Sequence, residues 1–159
     1  MRQQLSLARP ADTDALGRAL GRAIMAIHPE SLCVYLHGEL GAGKTALARG
    51  LLQGCGHVGR VPSPTYTLIE PYDCGGLQFF HMDLYRLADP GELEYLGIGE
   101  LAGAGSILLV EWPERGSGDL VPADLEVFLK VKDEGRGCVL QASSAAGERL
   151  LVALADLKD

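Results

Sequence analysis

No stretch of this chain stays apolar for the roughly 18–20 residues that a membrane span needs. Its opening segment, "MRQQLSLARPADTD", lacks the apolar centre of a secretory signal. Cysteine is sparse: Cys33, Cys55, Cys74 and Cys138 lie far apart with no C-x-x-C pair. That argues against disulfides and against a zinc knuckle, and for reduced, structural thiols. His28, His37, His57 and His81 show no metal-ligand spacing such as H-E-x-x-H and read as surface or packing residues. Positive charge is also short, because 14 Lys and Arg against 21 Asp and Glu give a formal net charge of -7. Such a surface repels phosphate backbones and anionic lipid head groups. These gaps describe a cytoplasmic protein without a membrane association, whose grip on nucleic acid is local or borrowed from a partner.

What remains is an ordinary globular composition: 47% hydrophobic and 22% charged residues over 159 positions. That length suits one domain with one core, and no internal repeat or linker divides it. Apolar positions Leu16, Leu20, Ile24 and Ile27 predict an amphipathic helix over 11–27, with Asp12 or Thr13 as its cap. "SLCVYLHG" (31–38) predicts a buried strand, and "KTALARGLLQG" (44–54) a helix. Segments 63–72 and 77–87, split by the turn sequence "DCGG", predict a β-hairpin, followed by a helical patch over 90–101. "SILLVEW" (106–112) is a continuous apolar run closed by a carboxylate, the pattern of a parallel strand covered on both faces. The alternation over 124–131, the turn "DEGRG" and "CVLQAS" predict a second hairpin, and 146–157 a closing helix. The fold class expected is α/β, with a mixed, mostly parallel central sheet flanked by helices and β-hairpins at its periphery.

Between the first predicted strand and the second helix stands "GELGAGKT", which satisfies G-x-x-x-x-G-K-[ST] with Gly38, Gly43, Lys44 and Thr45. Glycines at Gly38, Gly41 and Gly43 let consecutive N–H groups converge on phosphate oxygens, and Ala42 is small enough not to block their approach. The positive end of the following helix favours the anion, Lys44 reaches toward the β- and γ-phosphates, and the Thr45 hydroxyl is a ligand for Mg²⁺. A second anchor for the cation is expected from a carboxylate at the carboxyl end of a neighbouring strand, and Glu111 and Asp83 both fit. The chain contains no asparagine, so the N-K-x-D element of guanine-specific GTPases is absent and ATP is favoured.

"GELGAGKTALARG", "SPTYTLIEPY", "HMDLYRL" and "LLVEWPERG", in this order, closely resemble the bacterial TsaE family, also called YjeE. The resemblance covers essentially the whole chain. It implies a P-loop NTPase of the pathway that installs threonylcarbamoyladenosine in tRNA, binding ATP or ADP through the loop from Gly38 to Ala46. It further implies that Lys44 holds the phosphates, that Thr45 and Glu111 coordinate Mg²⁺, and that Asp83 is a catalytic carboxylate orienting the attacking water or a metal-bound water. Ser63, Pro64, Thr65 and Tyr66 match the family's switch segment, although these residues alone read as a strand start. Trp112 falls near the site by resemblance and reads as a packing residue by chemistry. Thr13 and Arg136 match places near the base or sugar, while on their own they read equally as a helix cap and a turn charge. Glu111 stands where P-loop proteins commonly carry aspartate, a departure the family shares. The implied partners are the TsaD and TsaB subunits of the transferase complex, which the ATPase resets between turnovers, with tRNA met only through that complex. The rivals are a small-molecule kinase, with "YRLADPGELE" or "PERGSGDL" as a lid, and a nucleotide-dependent binding module that does not hydrolyse.

Overall fold

A computed structural model describes residues 1–89, 91–101, 105–116 and 118–157. Seven strands form one sheet: β1 (Arg2–Leu7), β2 (Ser31–His37), β3 (Ile69–Cys74), β4 (Leu77–Asp83), β5 (Ser106–Glu111), β6 (Leu125–Lys132) and β7 (Gly135–Ala142). Their order is β1-β7-β6-β2-β5-β4-β3. Four adjacent strands, β6, β2, β5 and β4, run parallel, and the hairpins β3–β4 and β6–β7 bring antiparallel pairing to the two sides. Helix α1 (Pro10–Ile27), α2 (Lys44–Gly54) and α5 (Ala145–Leu157) are the long ones, and α3 (Glu92–Tyr95) and α4 (Ile98–Leu101) are single turns. The mixed α/β sheet expected from the sequence is therefore present.

Strand periodicity divides the core in two. Alternate residues such as Val34, Leu36, Phe79, Ile107, Leu109 and Val127 face one side, where they pack with the apolar stripes of α1, α2 and α5. Their neighbours Cys33, Phe80, Met82, Leu108 and Val110 face the other, against Leu84, Leu87, Leu93 and Ile98. All six residues of β5 are buried, as its unbroken apolar run requires. Helix α1 meets α2 through glycines: a Cβ at Gly21 would stand 2.1 Å from Leu51 O, and one at Gly54 2.2 Å from Arg18 O. The two backbones touch, which fixes the axis of the helix that follows the glycine loop.

Five local expectations are corrected. The edge strand β1, antiparallel to β7, has only a weak alternation and was not expected. Helix α1 begins at Pro10, so neither Asp12 nor Thr13 is its cap; Asp12 lies in the first turn and its carboxylate accepts from Arg9 N–H at 3.0 Å. Residues 64–67 form a turn and the strand begins only at Ile69, because Pro62 and Pro64 lack the N–H a ladder needs. The patch 90–101 breaks into α3 and α4 at Gly97 (φ +71), and Pro90 lies outside the described residues. The second hairpin turns on Asp133 and Glu134 alone, so Arg136 lies in β7 and not in the turn.

Candidate functional site

The carboxyl ends of β2, β4 and β5 converge at one edge of the sheet, the place where open α/β sheets gather ligands. There the chain leaves β2 and enters α2 through the glycine loop. Gly41 (φ +79) and Gly43 (φ +106) take left-handed backbone that other residues adopt only at a cost. Their geometry turns the chain sharply enough that α2 starts at Lys44, with Leu47 N–H the donor to Gly43 O at 2.9 Å. The N–H groups of the first turn before Leu47 have no partner within the helix and point out of its end.

Opposite that turn stand two carboxylates in adjacent register, Asp83 on β4 and Glu111 on β5. Both are almost fully buried, with 4% and 2% exposure. The Thr45 hydroxyl donates to Glu111, 2.9 Å from Oε1 and 3.1 Å from Oε2. Lys44 is buried too, and its ammonium donates to the carbonyls of Gly38 and Glu39, the latter at 3.0 Å. It also lies 4.2 Å above the Trp112 ring. Burial lowers the Lys44 pKa from 10.5, while the charges of Glu111, Asp83 and Glu114 pull it back up. Trp112 reaches this position through a left-handed backbone (φ +57), an uncommon conformation for so large a residue.

The segment 63–66 closes the mouth. Thr65 Oγ1 donates to Asp83 Oδ2 at 2.9 Å, Ser63 Oγ lies 2.7 Å from Thr65 Oγ1, and Tyr85 N–H donates to Asp83 Oδ1 at 3.0 Å. Asp83 N–H in turn donates to Leu68 O, which ties the turn to the end of β4. Tyr66 is 81% exposed and carries Arg86 on its ring at 4.3 Å. Together Gly41, Gly43, Lys44, Thr45, Ala46, Ser63, Thr65, Asp83, Glu111 and Trp112 line a cavity of about 280 Å³.

A second cavity, about 290 Å³, lies on the other side of the loop and shares Gly43 and Ala46 with the first. Thr13, Ala42 and Arg136 line it, beside Arg9, Asp14 and Arg49. Arg136 is bonded to the loop itself: Nε donates to Ala42 O and Nη2 to Gly41 O, each at 3.0 Å. Most of the residues expected to act together thus line two adjoining hollows; Gly38, buried Pro64 and exposed Tyr66 are outside both linings.

One residue of this cluster had not been expected. His81 is fully buried, and its Nε2 lies 2.6 Å from Glu111 Oε2. Its signal in the sequence was parity: His81 and Asp83 are two apart on one strand and so share a face.

The family described as "Threonylcarbamoyl adenosine biosynthesis protein TsaE" matches residues 7–138. A relative from Haemophilus influenzae described as tRNA threonylcarbamoyladenosine biosynthesis protein TsaE is 45% identical over 141 residues, 88% of this chain and 89% of its own. One of the same description from Rickettsia felis is 35% identical over 133 residues, 83% of this chain and 75% of its own. The crystal structure of Bacillus subtilis YdiB superposes with a TM-score of 0.79 at 27% identity, covering 100% of this chain and 97% of that one.

Proposed function

The chain belongs to the TsaE family of threonylcarbamoyladenosine biosynthesis, and on that premise we propose that it is a Mg²⁺-dependent ATPase acting in tRNA modification. Residues 1–159 are read as one P-loop NTPase domain that works in the cytoplasm with TsaD and TsaB and resets their complex between turnovers. The observation that carries the reading is the meeting of Thr45, in the first turn of α2, with Glu111 at the end of β5, 2.9 and 3.1 Å apart, beside Lys44. A glycine-rich turn of purely structural use has no need to face a helix N-terminus with a buried carboxylate and a buried ammonium.

Mg²⁺ fits this donor set: one hydroxyl and one carboxylate offer oxygen alone, and Mg²⁺ commonly takes one or two protein ligands and completes its shell with phosphate and water. Among the described residues, no group of three His, Cys, Asp or Glu could hold a metal elsewhere. When bound, the ion would offset charge on the phosphate oxygens. Lys44 exchanges the carbonyls of Gly38 and Glu39 for phosphate oxygens, and the N–H groups of the loop and first helical turn cradle the rest. Asp83 holds the attacking water in line, and Thr65, bonded to it, couples the switch segment to the terminal phosphate. Thr13 and Arg136, which line the adjoining hollow, would hold the base and sugar.

In the kinase alternative a mobile arginine covers the site, but Arg86 rests on Tyr66 at 4.3 Å and Arg115 on Tyr85 at 5.2 Å. Phosphate release by the purified chain, alone and with TsaD and TsaB of the same organism, tests the proposal. Release stimulated by the partners, by ~10³ to 10⁵ if they complete the site, and abolished by Lys44→Ala and by Glu111→Ala supports it. Silence in every mixture overturns hydrolysis and directs the search to phosphate acceptors.

A further inference from the structure

Among the described residues, a single buried side-chain polar atom has no hydrogen-bond partner, and it is His81 Nδ1. Leaving such an atom unpaired in the core is costly, and a leucine or phenylalanine would fill the same space without that cost. The other ring nitrogen supplies the compensation. Nε2 lies 2.6 Å from Glu111 Oε2, and toward an accepting carboxylate it is Nε2 that carries a hydrogen, whichever form Nδ1 takes. We infer that His81 is a positioning residue: it fixes the Glu111 carboxylate in the orientation that binds the cation. This rests on the Mg²⁺-nucleotide reading of the same site.

The direction of each bond shows why the contact matters. Thr45 reaches Glu111 from α2, and its hydroxyl hydrogen serves both carboxylate oxygens. A hydroxyl that offers a lone pair to a cation can still donate its hydrogen, but the cation then sets the direction of that bond, so the Thr45 contact with the carboxylate must readjust when a cation binds. His81 approaches from the core side of β4, two residues before Asp83 and thus one ladder step below Glu111. Its bond is compatible with both states. It ties back Oε2 and leaves Oε1 with Thr45 as its only side-chain partner among the described residues. Hydrogen bonds that orient a metal's ligand typically carry about 10- to 100-fold in metal affinity.

The test is a Mn²⁺ titration of the full chain at saturating ADP, with bound Mn²⁺ read by electron paramagnetic resonance, beside ADP affinity in the absence of metal. His81→Leu fills the space and removes the donor; His81→Gln places an amide N–H near the Nε2 position. The expected result is an Mn²⁺ dissociation constant raised about 10- to 100-fold in His81→Leu and within about threefold of wild type in His81→Gln, with metal-free ADP affinity unchanged. Should the leucine variant fail to fold, His81→Asn, whose shorter amide stops near the Nδ1 position, stands in for it. Mn²⁺ affinity untouched by losing the donor, or lowered equally in the glutamine variant, overturns the inference and leaves His81 as core filling. Failure of the wild type to bind Mn²⁺ and ADP overturns instead the reading on which the inference rests.

Discussion

Lys44 is where the account is most exposed to measurement. Its pKa is lowered by burial, and a bound phosphate would stabilise the charged form and raise it again. Below the lowered value both states are protonated and affinity for ADP is flat. Above it binding must take up a proton, so affinity falls as pH rises, by up to about tenfold per unit, starting below 10.5. Calorimetry in two buffers of different ionisation enthalpy reads that proton directly; no uptake on the alkaline side contradicts the role given to Lys44. Cys33 and Cys55 behave oppositely. Burial pushes both thiols up to about 12, helped by Asp124 and by Cys74 respectively. The stability they contribute is whole below the unfolded value of 9.0 and lost between there and about 12. Iodoacetamide at pH 8.5 should therefore label them only in urea, as followed by mass spectrometry; stoichiometric labelling of the native chain would show that they are not the inert thiols described.

Among the elements, the glycine contact between α1 and α2 carries a prediction about both stability and function. A methyl group at Gly21 meets the carbonyl of Leu51, which neither helix can rotate away. Gly21→Ala is expected to cost about 1–3 kcal/mol in urea unfolding. Because α2 begins with Lys44 and Thr45, the same variant should weaken ADP binding although its contact point, Leu51, lies toward the other end of α2. An unchanged urea midpoint would mean that the helices are less closely apposed than described. The elements also show what was legible in advance. Strand β5, helix α2 and the loop between β2 and α2 each follow from local pattern, because each is decided by its own residues. The strand position of Arg136 does not, because the pairing of β7 with β1, distant in sequence, extends that strand; the turn after Pro62 and Pro64 had a local sign in those prolines, and Asp83 ties it down. His81 is the clearest miss. Its two-residue spacing from Asp83 puts it on the same face, but only the register of β4 against β5 sets it below Glu111.

At the scale of the whole molecule, three strand ends and one helix start deliver the reactive groups to a single edge, while most of the core lies below them. The formal net charge of the chain is -7. The chain alone is accordingly expected to show no retention of tRNA in filter binding at physiological salt, where a basic footprint would be needed. Tight binding there would contradict the proposal that tRNA is met only through partners. No helix among the described residues is long and apolar enough to cross a membrane.

The central claim is that the loop, Thr45 and Glu111 form one Mg²⁺-nucleotide site. A calorimetric titration of the purified chain with ADP, with and without Mg²⁺, tests it most directly when run beside Lys44→Ala and Glu111→Ala. The account predicts saturable binding that Mg²⁺ tightens in the wild type, no such tightening in Glu111→Ala, and binding largely lost in Lys44→Ala. Binding that Mg²⁺ tightens as much in Glu111→Ala as in the wild type, or that survives Lys44→Ala unchanged, would contradict it.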